Sequence, residues 1–182
     1  MDTRERIMAE ALDLFAERGY EKTSLREIAE RLDVSKAAVY YHFKTKDDIF
    51  TGILDSLMSR VDAIIAWGQE QPPGAGTRAA IVQRYTAEIR SSVKLIRFLQ
   101  ENQASLAHLD AGQRFKAKMK GLGQLLAPAE SGLPDRMRAV AAIMVMHVGW
   151  MFREEHAKSD QEIEDAILLV AGELTSSDPL GT

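Results

Sequence analysis

The chain has 182 residues, of which 46% are hydrophobic, and its formal net charge is −4. This composition fits one or two globular domains with a buried core, and the acidic balance argues against a protein that coats nucleic acid through an overall positive charge. The lack of cysteine excludes a disulfide framework and thiol redox sensing.

No segment has the pattern of a signal peptide or a membrane span. Charged residues at positions 2, 4, 5 and 6 interrupt any apolar start. The longest apolar run, residues 139–146, is far shorter than the roughly 20 residues that a membrane helix needs. We therefore expect a soluble, cytoplasmic protein that makes no membrane contact.

The first predicted helix begins at Asp2, where Glu5 completes a capping box. Gly19 supplies the stop at its C-terminal end. Its apolar side chains form one broad stripe, made of Ile7, Met8, Ala11, Leu12, Leu14 and Phe15. We expect this helix to pack behind the two helices that follow.

Two short helices are predicted next, joined by a tight turn at residues 33–34. Ser24 and Glu27 form a capping box for the first, and Ser35 can cap a second that runs to about Tyr41. Two short helices joined in this way are typical of the helix-turn-helix, whose second helix enters the major groove of DNA.

The outward side chains of the second short helix favour DNA binding. Val39 and Phe43 are apolar and four residues apart, so they should point inward. The outward side chains are small near the helix start, aromatic in the middle and basic at the ends; they are Lys36, Ala37, Tyr40 and Tyr41, with His42 and Lys46 beyond. Such a surface can contact base edges and neutralise phosphates. An ordinary two-helix corner with exposed tyrosines is the alternative.

Basic residues are concentrated in the same segment. Residues 22–46 contain six basic side chains against three acidic ones. The basic ones are Lys22, Arg26, Arg31, Lys36, Lys44 and Lys46. One local positive surface on an acidic chain fits a protein that engages DNA through one face, although a merely solvated face has the same composition.

Many spaced positions within residues 5–50 form a single pattern. They are Phe15, Gly19-Tyr20, Thr23-Ser24, Ile28-Ala29, Val34-Ser35-Lys36, Tyr40-Tyr41-His42-Phe43 and Lys46. This pattern closely resembles the TetR/AcrR family of transcriptional regulators. The resemblance implies an all-α fold, with an N-terminal three-helix helix-turn-helix DNA-binding domain at residues 1–46. Residues 47–182 would then form a helical regulatory domain for effector binding and dimerisation.

The resemblance also implies roles for individual residues. Family members often have an arginine at the position of Arg26, and this arginine contacts a guanine. Lys36 and Tyr40 are expected to contact bases in the same way. The expected DNA-binding residues are Thr23, Arg26, Ser35, Lys36, Ala37, Tyr40, Tyr41, His42 and Lys46. Of these, Thr23, Tyr41, His42 and Lys46 are expected to contact phosphates, with Lys46 adding its charge to a helix N-terminus.

A long helix is predicted to begin at Thr45, capped with Asp48, and to run to about Trp67. Gly68 and the segment at residues 72–76 are expected to end it. In the family, the equivalent helix bridges the two domains. Later helices are predicted over residues 77–92, 95–99, 106–109 and 115–126.

The last two predicted helices differ in kind. From Met137 to Phe152 nearly every residue is apolar, and a helix that is apolar all round must be buried all round. In the family, this helix and a final one over residues 160–174 form a four-helix interface with a twofold mate. The expected interface residues are Val140, Ile163, Ile167, Val170 and Leu174. A monomeric core is the alternative.

Aromatic and methionine side chains are abundant in the C-terminal part and can line an adaptable apolar pocket. The expected pocket residues are Tyr85, Phe98, Phe115, Met119, Met144, His147, Trp150 and Met151. Because few charges face inward there, the effector should be lipophilic and mostly uncharged. Each of these residues would fit a plain core position equally well.

No residues have the spacing of an active site or a metal site, so we expect neither an enzyme nor a cofactor. The four histidines, His42, His108, His147 and His156, stand far apart, and Glu154-Glu155-His156 falls at a helix end. The expected function is a sequence-specific homodimeric repressor, released from a palindromic operator in double-stranded DNA by a small lipophilic effector. The alternative is a DNA-binding protein without such an effector, controlled by a protein partner or acting in chromosome organisation.

Overall fold

The computed structural model describes residues 2–102, 111–127, 130–152 and 159–176, without the side chains at positions 100, 111–113 and 151–152. The helix expected at residues 106–109, His108, Glu154-Glu155-His156 and the side chain of Met151 lie outside the described residues. The described chain is all-α, as predicted, and contains no strand. None of its helices is long and apolar enough to cross a membrane.

The helices follow the predicted order. They are α1 (Thr3–Arg18), α2 (Leu25–Arg31), α3 (Lys36–His42), α4 (Lys46–Glu70), α5 (Ala75–Ser91), α6 (Val93–Glu101), α7 (Ala111–Leu126), α8 (Leu133–Val148) and α9 (Asp160–Ser176). A short 3-10 helix, Gly149–Phe152, continues from α8.

The helix starts confirm the predicted caps. Reciprocal capping boxes begin α1 and α2. At α4, the N–H of Asp48 donates to Thr45 Oγ1 at 3.0 Å, and the N–H of Thr45 donates to the Asp48 carboxylate at 2.9 Å. Gly19 ends α1 at φ 86°, and Asp33 forms the turn before α3 at φ 54°. This left-handed region is open to glycine and tolerated by aspartate.

The described helices divide between two compact units. The first draws on residues 1–59 and 94–113, and the second on residues 60–93 and 114–182. This division differs from the expected boundary at residue 46. The reason lies in the core of the first unit, where Phe50 of α4 and Phe98 of α6 both pack against Phe15 of α1.

Four aromatic rings form the centre of the first unit, which we call the aromatic core: Phe15, Tyr20, Phe50 and Phe98. The ring of Phe98 stacks on that of Phe15, with centroids 5.8 Å apart, and meets that of Phe50 edge-on at 5.5 Å. Tyr20 lies against the same rings, and its hydroxyl donates to the Asp47 carboxylate. The aromatic core therefore joins α1, α4 and α6.

The second unit is built on α5, α8 and α9, which pack against one another. Arg78 Nε donates to the carbonyl of Thr175 at 2.7 Å, near the start of α5 and the end of α9. At the opposite ends, Arg90 forms an ion pair with Glu164. The two helices therefore run antiparallel.

The helix α4 is longer than predicted, because it continues through Gly68 to Glu70. Gly68 is buried, and a Cβ at this position would lie 2.9 Å from Cδ1 of Leu125. The glycine thus permits close packing against α7 instead of ending the helix. The chain leaves the helix just before Pro72, whose ring cannot continue it.

Candidate nucleic-acid interface and effector site

The helix α3 presents the outward surface that the sequence predicts. Val39 is fully buried and Phe43 nearly so, whereas Tyr41 is 82% exposed and Tyr40 is 38% exposed. Lys36 is also exposed, and its ammonium lies 5.3 Å from the centroid of the Tyr40 ring. Two inward anchors thus turn the basic and aromatic side chains of α3 towards solvent.

Both ends of α3 suit a close approach to another molecule. Ser35 Oγ accepts from the N–H of Ala38 at 3.2 Å, and Ser35 and Ala37 are exposed small residues. At the other end, the ring of half-buried His42 meets that of Tyr41 edge-on at 5.1 Å. The start of α3 therefore leaves room for a partner, while its end carries polar aromatic groups.

Arg26 lies on the exposed side of α2. Its Nε donates to the Glu30 carboxylate at 2.7 Å, and both side chains are largely solvent-accessible. Exposed pairs of this kind contribute little to stability. The guanidinium can therefore exchange its carboxylate for another acceptor.

Two expected phosphate contacts are engaged inside the first unit. Thr23 is buried, and its hydroxyl donates to the carbonyl of Gly19 at 3.0 Å. This bond corrects the expectation for Thr23, whose hydroxyl is not available to a phosphate. The Lys46 ammonium donates to the carbonyl of Tyr20 at 3.0 Å and pairs with the Glu21 carboxylate at 3.2 Å. Lys46 therefore holds the segment after α1 against the start of α4.

The second unit contains a polar pair made of buried Tyr85 and half-buried His147. Tyr85 Oη lies 2.8 Å from His147 Nε2, and His147 Nδ1 lies 2.8 Å from the carbonyl of Ile143. Because a carbonyl only accepts, we assign the imidazole proton to Nδ1, so the Tyr85 hydroxyl donates to Nε2. Burial lowers the pKa of His147 and raises the pKa of Tyr85, which favours the neutral form of both groups.

Two more expected pocket residues surround this pair. The ring of Phe115 meets that of His147 edge-on at 5.2 Å, and Met119 Sδ lies 3.5 Å from Tyr85 Oη. Tyr85, Phe115, Met119 and His147 therefore come together, and we call them the Tyr85–His147 cluster. Its members are uncharged, which suits a lipophilic ligand.

Other expected pocket residues lie elsewhere. Phe98 belongs to the aromatic core of the first unit, so its assignment to an effector pocket is corrected. Met144 is 55% exposed on the outer side of α8, which places it outside any enclosed pocket. Trp150 is buried one turn after His147, and its indole N–H has no partner in the described structure.

A cavity of about 320 Å³ opens in the second unit, where α4 ends, α5 begins and α7 ends. Its polar lining includes Gln69, Gln71, Thr77 and Gln124. None of the residues expected to hold an effector lines it. In the described parts of the chain, no group of three or more histidine, aspartate or glutamate side chains is placed to hold a metal ion.

The helix α8 carries an uncovered apolar face. Leu133, Met137, Val140 and Met144 are between 55% and 71% exposed, and their spacing places them along one side of the helix. On α9, Leu169 and Val170 are exposed as well. Isolated exposed apolar residues are common, but a continuous group of them typically marks a binding surface.

Two residues expected at a subunit interface lie in the core of the chain instead. Ile163 is 5% exposed and Ile167 is 3% exposed, because the stripe that they form faces the second unit's own helices. Little of either side chain is left to contact a second chain, so these two assignments are corrected. Val140 and Val170 are exposed as an interface requires, and Leu174 is half-buried.

Comparison with known proteins agrees with this geometry. Residues 7–53 match the family model for bacterial regulatory proteins, tetR family. The HTH-type transcriptional regulator AcrR of Shigella flexneri is 38% identical over 73 residues, which are 40% of this chain and 34% of AcrR. The HTH-type transcriptional repressor KstR2 of Rhodococcus jostii is 31% identical over 116 residues, which are 62% of this chain and 54% of KstR2. Within this chain, the similarity to the tetR family covers the helix-turn-helix segment, residues 7–53.

The fold is shared with a solved structure over nearly the whole chain. The crystal structure of Mycobacterium smegmatis AmtR superposes with a TM-score of 0.75 at 23% identity, covering 98% of this chain and 88% of AmtR. This likeness confirms the fold, an N-terminal helix-turn-helix domain followed by a C-terminal helical domain. The matches to AcrR and KstR2 span about half of the length of these two relatives or less.

Four exposed apolar residues were not among the expected interface residues: Leu133, Met137, Met144 and Leu169. A signal for the first three is present in the sequence. Leu133, Met137, Val140 and Met144 follow one another at intervals of four, three and four residues, which is the spacing of a helix-packing seam. Leu169 has no such signal, because it lies outside the apolar stripe of its helix.

Proposed function

We propose that this chain is a sequence-specific DNA-binding repressor that acts as a homodimer. The observation that carries the proposal is the surface of α3, where Lys36, Tyr40 and Tyr41 are exposed above the buried anchor Val39. KstR2, matched over 62% of this chain, is named a repressor, and this supports repression rather than activation.

The residues of α2 and α3 take separate roles in this proposal. Arg26, Lys36 and Tyr40 read base edges, whereas Tyr41 and His42 contact phosphates and thereby fix the register of the protein. The exposed small residues at the start of α3 let its backbone approach the groove. Lys46 chiefly positions the domain, since its ammonium already has acceptors within the first unit; a phosphate contact by this residue stays a prediction.

Two arguments support the homodimer: the spacing of half-sites in a palindromic operator and the exposed apolar face of α8. Two recognition helices that bind half-sites one turn apart must meet major grooves roughly 34–36 Å apart. The face formed by Leu133, Met137, Val140 and Met144 is apolar and exposed, and its burial against a second copy would remove it from water. Each protomer would then bind one half-site of a palindrome.

The variant Arg26→Ala tests the proposed base readout. An arginine paired bidentately with guanine discriminates between bases by about 1–3 kcal/mol. We expect the variant to lose preference at one position in each half-site while it keeps the others. The measurement is selection of binding sites from a random duplex library by wild type and variant, followed by affinities for single-base changes. Arg18→Ala is the matched control, because Arg18 is also exposed and paired with a glutamate.

The result separates three outcomes. Loss of base preference at one position of each selected half-site supports base readout by Arg26. Equal weakening on selected and random DNA assigns Arg26 to a phosphate. If the wild-type protein itself enriches no sequence, the proposal of sequence-specific binding is wrong.

The proposal includes a small, lipophilic and uncharged effector at the Tyr85–His147 cluster. Two observations support this class of ligand: Phe115 and Met119 supply apolar surface, and burial favours neutral Tyr85 and His147. The effector must bind more tightly to a conformation whose recognition helices are wrongly spaced, because equal affinity for both conformations shifts nothing. Three segments connect the units along the chain: α4, the junction between α5 and α6, and the start of α7.

Two observations favour the alternative, a DNA-binding protein without a small-molecule effector. The cavity of about 320 Å³ is not lined by the Tyr85–His147 cluster. The cluster also satisfies its own hydrogen bonds, since Tyr85 donates to His147, which donates to Ile143. In this case a protein partner, or a role in chromosome organisation, would replace the effector.

The variant Met119→Trp tests whether a small-molecule effector binds at the Tyr85–His147 cluster. A thermal-shift screen of lipophilic compounds on the wild-type protein first identifies an inducer that releases the selected operator. The larger indole should then fill the space beside Tyr85 and raise the inducer concentration needed for release by at least about tenfold, a loss of roughly 1.4 kcal/mol. Operator affinity without inducer should stay close to wild type.

Lys120→Trp is the control, since it adds the same ring at an exposed position one residue later on α7. Release of Met119→Trp at the wild-type concentration would place the effector away from this cluster. A screen in which no compound stabilises the wild-type protein would favour the alternative.

A further inference from the structure

Arg4, in the first turn of α1, reaches the end of the recognition helix α3. Its guanidinium carbon lies 5.0 Å from the centroid of the Phe43 ring, and its Nη1 lies 3.7 Å from Met8 Sδ. The arginine is exposed, whereas Phe43 is buried. The guanidinium therefore covers the ring that anchors the last turn of α3.

The charge of Arg4 is not compensated by a carboxylate. Arg18 and Arg31, on α1 and α2, pair with Glu27 at 3.0 Å and Glu17 at 2.7 Å. No carboxylate in the described part of the chain lies within ion-pair distance of Arg4. An aromatic ring attracts a cation without neutralising it. Arg4 is thus held in place while its positive charge stays available.

The helix α4 leaves room for this arrangement at Gly52. A Cβ at this position would lie 3.0 Å from Nη2 of Arg4 and 3.3 Å from Cε1 of Phe43. Glycine inside a helix is less stable than alanine because it loses more backbone entropy on folding. The missing Cβ leaves space beside α4 for the Arg4 guanidinium.

We propose that Arg4 is a further phosphate contact of the DNA-binding surface, a position outside the helix-turn-helix itself. The inference rests on the proposed DNA binding. Phe43 directly follows Tyr41 and His42, so a cation above its ring extends the row of proposed phosphate contacts at the end of α3. A planar guanidinium can donate two parallel hydrogen bonds to a phosphate, and its stacking on Phe43 reduces the side-chain entropy lost on binding.

The test is the salt dependence of affinity for the selected operator and for a random duplex of equal length. Each lost cationic contact lowers the magnitude of the log–log slope by about 0.9 on B-form DNA. We expect Arg4→Gln to lower the slope by this amount for each bound protomer, on both duplexes. Arg4→Lys, which keeps the charge, should keep the slope. Arg6→Gln, exposed two residues further along α1, should leave it unchanged.

A second variant tests whether the placement of the Arg4 guanidinium matters in addition to its charge. Gly52→Ala keeps the arginine but moves its guanidinium away from the Phe43 ring, so its affinity should fall between those of wild type and Arg4→Gln. Thermal melts of all variants show whether folding is intact. A wild-type slope in folded Arg4→Gln, even with a lower melting temperature, would restrict Arg4 to a packing role and overturn the inference. If the wild-type protein shows no operator preference, sequence-specific binding fails, while the slope on the random duplex still decides the role of Arg4.

Discussion

Val140→Glu is expected to convert the proposed dimer into a folded monomer. Val140 lies in the middle of the uncovered apolar face of α8. A carboxylate at this position is hydrated in the isolated protomer. In the dimer it would lose its water and gain no oppositely charged partner. An uncompensated buried charge costs about 3–5 kcal/mol, which weakens association by roughly 10²–10⁴-fold. Sedimentation should show the monomer, and operator affinity should fall because the two half-sites are no longer bound together.

Two controls distinguish loss of the dimer from a general effect of added charge and from loss of folding. Ala87→Glu adds the same charge at an exposed position on α5, and it should remain dimeric. Ile167→Glu places the charge in the protomer core, so it should lose its cooperative thermal transition rather than merely dissociate. A dimeric Val140→Glu with wild-type operator affinity would locate the interface on another surface.

The contrast between Val140 and Ile167 shows where sequence reasoning reaches its limit. Helical periodicity shows that both side chains belong to apolar stripes, and the run from residue 137 to 152 shows that α8 needs cover on more than one side. Periodicity cannot show whether the cover comes from the same chain or from another. That depends on which helices pack together, and here α5 and α8 already bury the stripe of α9.

The helix-turn-helix was predicted more completely, because its signals are local. Capping boxes, the turn at Asp33 and the inward pair Val39 and Phe43 each depend on residues within one or two helical turns. The roles of Thr23 and Lys46 depend instead on acceptors supplied by the end of α1 and the loop after it. Membership of a motif identifies the position of such residues but not the direction in which their polar atoms point.

The assignment of Phe98 failed for a related reason. Leu95 and Phe98 have the spacing of a buried helix face, and the structure confirms that both are buried. The sequence places them among regulatory helices, since they follow α5 directly. The chain nevertheless returns to the first unit after residue 93. An aromatic residue at helical spacing predicts a core position, but it does not say which of two cores.

Phe98→Ala is therefore expected to destabilise the unit that carries the helix-turn-helix. Replacing a buried phenylalanine by alanine removes about 3–5 kcal/mol from the free energy of unfolding, because the lost ring leaves a cavity. Here the ring contacts Phe15 and Phe50, so the loss falls on the packing of α1 and α4. Phe98→Leu, which keeps most of the volume, should cost less.

Hydrogen exchange locates the effect. Peptides from residues 3–18 and 46–59 should lose protection in Phe98→Ala, whereas peptides from α8 should keep theirs, because α8 belongs to the second unit. Effector affinity at the Tyr85–His147 cluster should change little in the folded fraction. Loss of protection confined to α8, or a large loss of effector affinity without loss in α1, would return Phe98 to the effector site. Otherwise the residue joins α6 to the aromatic core of the first unit.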